Sequence, residues 1–210
     1  LFVMGEEYSD MKISLPGQYS VNNALAAIAA CHRMGTDIED MREPLSKISV
    51  NGRCEPVFIS QDYSVIIDYA HNGSSLINLI ETMRQYNPGR ILCLFGSVGG
   101  RAQLRRKEMG TVSGTMCDLS IITTDDPNFE DPEEIIIEIS KYVEEVNGEY
   151  VAITDRQEAI EYAVDIMKPG DMLILAGKGH ERIMKVKGEE IPIDERECVL
   201  KALRKRKIIV

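Results

Sequence analysis

Short apolar runs alternate with longer amphipathic segments from about residue 54 onward, and no other feature limits the fold as strongly. The runs with strand character are residues 63–67, 90–95, 119–124, 150–153 and 172–176. The segments of helical length between them are residues 74–86, 104–116, 132–146 and 156–167. Strands that alternate with helices in this way form βαβ units. The sequence therefore predicts an α/β fold with a Rossmann-like, mainly parallel sheet and helices on both of its faces.

The two ends of the chain have patterns of their own. Residues 183–193 resemble a hairpin that turns at Gly188, which predicts an antiparallel edge, and residues 195–204 predict a last helix. Residues 19–34 are rich in alanine and end at Gly35, which is typical of a helix, and residues 38–48 predict a second, shorter one.

A turn signal at Asn51-Gly52-Arg53 predicts a domain boundary, which divides the chain into residues 1–50 and 51–210. Two helices and a strand bury little apolar surface, so we expect residues 1–50 to pack against a preceding domain. The chain also begins without methionine, which favours a piece of a longer protein.

Composition excludes several classes of function. The net charge of −10 argues against a nucleic-acid partner, because such binding needs a concentrated basic face. No apolar run reaches the roughly 18–20 residues of a membrane span. The five cysteines form no C-x-x-C pair, so we expect neither a metal site nor a disulfide framework, and a cytoplasmic location.

Polar clusters follow several of the predicted strands. They are Asp68-Tyr69-Ala70-His71, the glycine-rich run from Gly96 to Arg101, Asp125-Asp126-Pro127-Asn128, and Gly177-Lys178-Gly179-His180-Glu181. Because the carboxyl ends of parallel strands meet at one crevice, we expect these clusters to converge on one ligand site. Each cluster taken alone could also be a structural turn or a helix cap.

The residue types indicate what such a site could bind. Asp68 and His71 can reach a phosphate-bound water, Mg²⁺ or a base. Arg101 can form a two-pronged ion pair with a carboxylate. The oxygens of the Asp125–Asn128 cluster suit an ammonium group. Lys178, His180 and Glu181 seldom occur together in a purely structural turn.

Two nucleotide-binding motifs are absent. The chain has no G-x-x-x-x-G-K-[ST] phosphate loop, and the glycines at 96, 99 and 100 do not have the G-x-G-x-x-G spacing of a nicotinamide-binding enzyme. The predicted site therefore resembles half of a larger one.

Together these segments resemble the C-terminal part of a Mur ligase, of the UDP-N-acetylmuramoyl-tripeptide synthetase type. The matching segments run in the family's order: Leu15–Gly17 with Asn22–Ala27, Gly52–Glu55, Asp68–His71, Gly96–Arg101, Thr124–Pro132 and Ala176–Glu181. The resemblance implies that residues 1–50 are the tail of a central ATPase domain. It also implies that residues 51–210 are the C-terminal amino-acid-binding domain.

The resemblance further implies a reaction and a set of roles. ATP phosphorylates a UDP-linked muramoyl dipeptide, an amino acid captures the acyl phosphate, and Mg²⁺ holds the phosphates. The residues implied to bind the amino acid are Arg101, Asp125, Asp126, Asn128, Gly177 and Glu181, with Lys178, His180 and Asn22 as supporting residues. Arg53, Asp68 and His71 are implied to face the nucleotide. No catalytic residue is implied within this chain, which we expect to be inactive alone, since ATP and Mg²⁺ bind mainly to the upstream domain.

Departures from the family pattern bear on the amino acid. Members of the family that add meso-diaminopimelate have Asp-Asn-Pro-Arg where this chain has Asp125-Asp126-Pro127-Asn128. Asn128 cannot form the ion pair that an arginine makes with a second carboxylate, and Asp126 adds negative charge. The sequence therefore predicts lysine, or another amino acid without a distal carboxylate.

Two alternatives remain at this point. The chain could belong to another ligase of the superfamily, such as a cyanophycin or folylpolyglutamate synthetase. It could also be a free ligand-binding domain without catalysis, which the absent phosphate loop would favour.

Overall fold

The computed structural model describes residues 2–3, 6–100 and 103–209, and its contacts divide the chain into two compact units, Leu1–Val50 and Asn51–Val210. The elements of the first unit are β1 (Phe2–Val3), β2 (Glu6–Glu7), α1 (Gln18–Arg33) and α2 (Arg42–Lys47), with a 3₁₀ turn at Glu39–Met41. The alanine-rich helix thus lies within one residue of its predicted ends. Ile28, Ile38 and Met41 form the small buried core of this unit.

The second unit contains eight strands and five helices within its described residues. They are β3 (Glu55–Ile59), β4 (Tyr63–Asp68), α3 (Gly73–Arg84), β5 (Ile91–Phe95), α4 (Gln103–Met116), β6 (Leu119–Ile122), α5 (Pro132–Glu144), β7 (Tyr150–Ala152), α6 (Arg156–Ile166), β8 (Asp171–Ala176), β9 (Ile183–Val186), β10 (Glu189–Pro192) and α7 (Glu195–Lys205). Polar caps fix where several helices begin: the side chains of Asn72, Asp155 and Asp194 each accept a hydrogen bond from a backbone N–H of the first turn.

The main sheet has the strand order β3-β4-β8-β5-β6-β7, and all neighbours are parallel except β3 and β4. The α/β fold with a mainly parallel sheet is therefore confirmed. The antiparallel edge is present but lies at β3, where no strand was predicted, because Pro56 and a shift of register interrupt the alternating pattern there. The hairpin β9–β10 forms a separate two-stranded sheet.

Helices cover both faces of the main sheet. One face packs Val65, Leu92 and Leu173 against apolar side chains of α6 and α7. The next side chains along the strands point to the opposite face, where Ser120 of β6 contacts Ser113 of α4 through a hydrogen bond of 2.7 Å. Strands β5 and β8 are buried along their whole length, so the core lies at the middle of the sheet. Within the described residues, no helix combines the length and the apolar character that crossing a membrane requires.

Candidate functional site

A polar cavity of about 210 Å³ lies beyond the carboxyl ends of β4, β5, β6 and β8. Its lining residues are Tyr69, His71, Gly96, Ser97, Val98, Arg105, Asp125, Asp126, Asn128, Gly177, Glu181 and Lys185. The sequence clusters that follow these four strands therefore converge, although they lie far apart along the chain. Of the residues implied to bind the amino acid, Asp125, Asp126, Asn128, Gly177 and Glu181 line this cavity. Arg101 lies outside the described residues.

Lys178 is the central charge beneath the cavity. Its side chain is fully buried, and its Nζ lies 2.8 Å from Asp126 Oδ1, 3.0 Å from Glu181 Oε2 and 3.6 Å from Asp125 Oδ1. Burial tends to lower the pKa of Lys178, but the surrounding carboxylates, Asp125 first, outweigh it and raise that pKa. Lys178 is therefore a buried cation that holds three carboxylates together.

Asp125 is the most deeply buried carboxylate of the cavity wall. Burial raises the pKa of Asp125, and the positive charges of Arg156 and Lys178 only partly oppose that rise. A Cβ at position 177 would lie 2.7 Å from Asp125 Oδ2, and Gly177 has a φ of 107°. Glycine at this position therefore lets the backbone come close to the carboxylate and to any ligand beside it.

The side chains of Asp126 and Asn128 line the cavity, but both form hydrogen bonds to other residues of the protein. Asp126 Oδ1 accepts hydrogen bonds from Lys178 Nζ and from the backbone N–H of Lys185. The Asn128 amide donates to the carbonyl oxygens of Gly99 and Asp126 at 3.2 and 3.1 Å. The Asn128 backbone also pairs with Lys185 and Lys187, which attaches the β9–β10 hairpin to this loop.

The loop after β4 is anchored by a buried carboxylate. Asp68 accepts hydrogen bonds from the backbone N–H groups of Cys54 and Ala70 at 2.7 and 2.8 Å. Burial raises the pKa of Asp68, and these two hydrogen bonds oppose the rise. Asp68 is thus surrounded by backbone, whereas its predicted companion His71 lines the cavity and has Nδ1 2.8 Å from the carbonyl oxygen of Tyr69.

Three rings and the Arg53 guanidinium form one side of the site, and Tyr69 lies at the centre of this group. The Tyr69 ring centroid is 4.8 Å from that of His71 and 5.5 Å from that of His180, and the Arg53 guanidinium lies 4.8 Å above the ring. The Tyr69 hydroxyl donates to Glu181 Oε1 at 3.2 Å. Tyr69 therefore links the residues implied to face the nucleotide with the carboxylates of the cavity.

A buried ion pair supports the floor of the site. Arg156 is fully buried, its Nε lies 2.8 Å from Glu195 Oε1, and its other nitrogens donate to the carbonyl oxygens of Thr124 and Ala176. These carbonyls lie just before Asp125 and Gly177. Arg156 thus fixes the spacing of the two loops that form the cavity.

Sequence reasoning missed several of these residues and placed others differently. Arg156 and Glu195 carry no local signal, because each occupies an ordinary position at the start of a helix. Arg105 and Lys185 were missed because they lie outside the polar clusters. His180 lines a neighbouring cavity of about 230 Å³ together with Glu195 and Arg196. Asn22 lies in the first unit, exposed on α1.

Metal ligation has no candidate cluster in the part of the chain that the structure describes. No group of three or more His, Cys, Asp or Glu side chains there is arranged to hold an ion. The carboxylates of the cavity are instead satisfied by Lys178, Tyr69 and backbone N–H groups.

A charged cavity beyond the carboxyl ends of a parallel sheet is the arrangement of ligand-binding α/β domains. The family described as "Mur ligase, glutamate ligase domain" matches residues 52–179, so this chain belongs to the Mur ligase family.

Similar proteins carry a more specific name. The chain is 41% identical over 198 residues to UDP-N-acetylmuramoyl-L-alanyl-D-glutamate--2,6-diaminopimelate ligase of Caldanaerobacter subterraneus subsp. tengcongensis, which covers 94% of this chain and 41% of that protein. It is 39% identical over 207 residues to the protein of the same name from Alkaliphilus oremlandii, covering 98% and 42%. This chain therefore spans about two fifths of the length of these relatives. Both names specify diaminopimelate, which disagrees with the lysine prediction.

A solved structure of a ligase with the same name has the same fold. It superimposes on 94% of this chain and 40% of its own length, with a TM-score of 0.72 and 27% identity.

Proposed function

We propose that this chain is the amino-acid-binding part of an ATP-dependent ligase that adds the third amino acid to UDP-N-acetylmuramoyl-L-alanyl-D-glutamate. The observation that carries the proposal is the cavity itself. Its wall contains the carboxylate oxygens of Asp125 and Glu181, and the Gly177 backbone lies close to the Asp125 carboxylate. An amino acid's ammonium group has three donors that need such acceptors. The names of the relatives support the same pair of substrates.

In this reaction the chain's own residues bind and orient the amine donor. The acceptor carboxylate is activated as an acyl phosphate, and the amine then forms the amide bond as phosphate leaves. Asp125 and Glu181 hold the amino group, Lys178 keeps the carboxylates in place, and Tyr69 connects them to the ring cluster. Holding the amine in line with its target supplies much of the acceleration in such a reaction.

ATP and Mg²⁺ are assigned mainly to other domains of a longer, cytoplasmic protein. Arg53 and His71 are proposed to face the nucleotide, and buried Asp68 to act there only through the loop that it anchors. Arg53 is exposed above the Tyr69 ring and is therefore able to meet a phosphate. When bound, Mg²⁺ neutralises phosphate charge. Residues 1–50 are proposed to be the tail of the ATPase domain, with Asn22 as a supporting residue.

The amino acid is the finer part of this proposal. The prediction of lysine rested on Asn128 and on the negative charge of Asp126. That charge is already paired with Lys178, which weakens the electrostatic argument for a cationic side chain. Both lysine and meso-diaminopimelate are therefore included among the amino acids to be assayed.

The intact protein that contains this chain can be assayed with ATP, Mg²⁺, the UDP-muramoyl dipeptide and a panel of amino acids. We expect ADP release only when dipeptide and amino acid are both present, and a tripeptide product by mass spectrometry. Glu181→Gln should raise the KM for the amino acid about tenfold or more. Glu189→Gln, on the exposed hairpin strand, is the matched control. The chain alone should release no ADP.

Two other outcomes would contradict the proposal. Addition of glutamate to a folate, or extension of an aspartate polymer, would assign the chain to another ligase of the superfamily. Saturable binding of an amino acid by an intact protein that never releases ADP would make it a binding domain.

A further inference from the structure

The loops after β6 and β8 form adjoining parts of the cavity wall, but no backbone pairing sets the distance between these two strands. Strand β5 lies between them in the described sheet, so β6 and β8 share no ladder of hydrogen bonds there. Asp125 follows β6 and Gly177 follows β8, and a Cβ at position 177 would lie 2.7 Å from Asp125 Oδ2. The cavity therefore depends here on a close approach that the sheet itself does not specify.

The Arg156 guanidinium joins the two strand ends. One terminal nitrogen donates to the Thr124 carbonyl oxygen at 3.0 Å, and the other donates to the Ala176 carbonyl oxygen at 3.1 Å. A planar guanidinium has its donors in fixed positions and can hold two acceptors at a set separation, which a single ammonium group on a flexible stem cannot do. Arg156 therefore sets the separation that no ladder sets.

Glu195, in the first turn of α7, holds this guanidinium in its orientation. Its Oε1 lies 2.8 Å from Arg156 Nε, and both side chains are almost completely buried. Its Oε2 has no hydrogen-bond partner among the described residues. A buried carboxylate in this position depends on its cation, just as the cation depends on the carboxylate. The two charges therefore form one unit.

Neither Arg156 nor Glu195 is among the residues that line the amino-acid cavity. Their influence on the cavity is indirect, through the two carbonyl groups and through charge. Burial raises the pKa of Asp125, and the positive charge of Arg156 is the strongest of the influences that oppose this rise. An ionised carboxylate is also the better acceptor for an ammonium group. Loss of Arg156 should therefore both displace Asp125 and weaken it as an acceptor.

We propose that Arg156 and Glu195 are positioning residues for the incoming amino acid, which hold Asp125 beside Gly177 without touching the substrate. The proposal rests on the proposed function, because it takes Asp125 as an acceptor for the amino group. A misplacement of about 1 Å can cost about a hundredfold in rate even when the replaced residue lies away from the chemistry. Replacing either residue should therefore affect the use of the amino acid far more than the use of ATP.

The test measures kcat and the KM values for ATP and for the amino acid with the intact protein, using meso-diaminopimelate and L-lysine. Arg156→Met should raise the KM for the amino acid about tenfold or more and change the KM for ATP by less than about twofold. Arg156→Lys should not restore the wild-type value, because one ammonium group cannot hold both carbonyls and Glu195. Glu195→Gln retains an oxygen that can accept from Arg156 Nε, so its effect should be smaller than that of Glu195→Ala.

A double variant separates positioning from stability. Arg156→Met alone leaves Glu195 as an uncompensated buried charge and should lower the thermal midpoint. Adding Glu195→Leu removes that charge and should recover part of the midpoint. The KM for the amino acid should stay raised in the double variant, because the two carbonyls are still not bridged. If Arg156→Met alone does not fold, the double variant and Glu195→Gln still give the comparison with the wild type.

Asp171→Asn is the matched control. It breaks the ion pair that Asp171, at the opposite end of β8, forms with Arg90, whose Nε lies 3.0 Å from Asp171 Oδ1. Asp171 is as deeply buried as Glu195, at 3% exposure each. This variant should lower the thermal midpoint and leave the KM for the amino acid unchanged.

The outcomes separate the proposal from the function on which it rests. A KM for the amino acid that returns to the wild-type value in the double variant would overturn the proposal. An equal rise in the KM for ATP, or the same rise in Asp171→Asn, would overturn it as well, because the effect would then follow stability alone. Each of these results leaves the ligase assignment intact. A wild type that joins neither amino acid to the dipeptide would overturn both.

Discussion

Lys178 combines full burial with three carboxylate neighbours, and this combination determines the energetics of the site. A buried ion pair is a poor source of net stability, but removing one partner leaves uncompensated charge in a medium that solvates it badly. Asp125 is 6% exposed, and its carboxylate lies beside the Gly177 backbone. The site is therefore sensitive to the loss of a single ammonium group.

Replacing Lys178 with methionine should destabilise the protein by about 3–5 kcal/mol, because two or three carboxylates lose their common partner. Chemical denaturation at neutral pH measures the change. Lys201→Met, which removes a lysine of α7 that is 63% exposed, should change the free energy of unfolding by less than about 1 kcal/mol. A Lys178→Met protein as stable as this control would show that the carboxylates are already protonated or solvated.

Glu130 should give the protein a distinct acid dependence. Its hydrogen bonds from Arg106 and then from the Gly100 N–H lower the pKa of Glu130 from 4.5 to about 2. A carboxylate with a lowered pKa stabilises the folded state above its ordinary pKa, and this contribution is lost as the pH falls from 4.5 through 2. Glu130→Gln should therefore show a shallower loss of stability over that window.

Denaturation at several acidic pH values gives this slope for wild type and variant. Glu134→Gln, on the exposed side of α5, is the control and should retain the wild-type slope. Identical slopes for wild type and Glu130→Gln would mean that the Arg106 contact does not persist in solution.

Sequence reasoning could predict which residues meet at the site but not which of them are paired. Asp125, Gly177 and Glu181 each follow a recognisable strand, and parallel topology brings such positions together. Asp126 and the Asn128 backbone also form hydrogen bonds with Lys185 and Lys187 of the hairpin segment, about 60 residues further along the chain, and no periodic pattern specifies that contact. The charge of Asp126 therefore appeared free in the sequence although Lys178 and Lys185 satisfy it.

At the scale of elements, the loop after β5 and the loop after β6 pack backbone against backbone. The Gly99 N–H donates to the Asp126 carbonyl at 2.8 Å, and a Cβ on Gly99 would overlap the carbonyl oxygen of Pro127. Gly100, the next residue, has a φ of 72°, but no atom of the residues that the structure describes lies within 4 Å of such a Cβ. Two adjacent glycines are thus required for different physical reasons.

Gly99→Ala should destabilise the protein by more than about 2 kcal/mol and weaken amino-acid binding, because one loop must move away from the other. Gly100→Ala should cost only about 1–2 kcal/mol, from backbone strain alone, and should leave the cavity in place. Thermal unfolding and the KM for the amino acid measure the two effects. Equal KM values in both variants would show that the contact at Gly99 does not shape the cavity.

Most strands and helices could be predicted from the sequence. The errors occur where tertiary contacts determine whether a strand forms or what it pairs with. Strands and helices from residue 63 to 176 have clear periodicity and strong caps, so their predicted bounds differ from the observed ones by at most two residues. Strand β3 carries Pro56 and a register shift, and its pairing with β4 is a tertiary contact that the local pattern does not specify. The hairpin was recognised from Gly188, but its attachment to Asn128 instead of the main sheet was not.

At the scale of the whole molecule, the two units differ in how much apolar surface they bury. The second unit packs a sheet between helices, whereas the first has a core of Ile28, Ile38 and Met41 with a few partly buried neighbours. A unit of about 50 residues with so few buried side chains is marginal as an independent fold.

Residues 51–210 expressed alone should therefore unfold in one cooperative thermal transition, whereas residues 1–50 alone should show no such transition. Circular dichroism of the two pieces measures this difference. A gradual, non-cooperative melt of residues 51–210 would show that the first unit is required for the fold of the second. Comparing the thermal midpoint of residues 51–210 with that of the full chain measures how much the first unit stabilises the second.

The position of β8 has a consequence for how the protein is made. This strand lies between β4 and β5, yet it is the last of the six in the chain, at Asp171–Ala176. When β3 to β7 have left the ribosome, the nascent chain therefore contains two separate pieces of sheet, β3-β4 and β5-β6-β7. Each piece exposes an unpaired apolar edge, which is a site for wrong pairing. The two edges stay open until residue 176 has emerged, and a single strand then closes both.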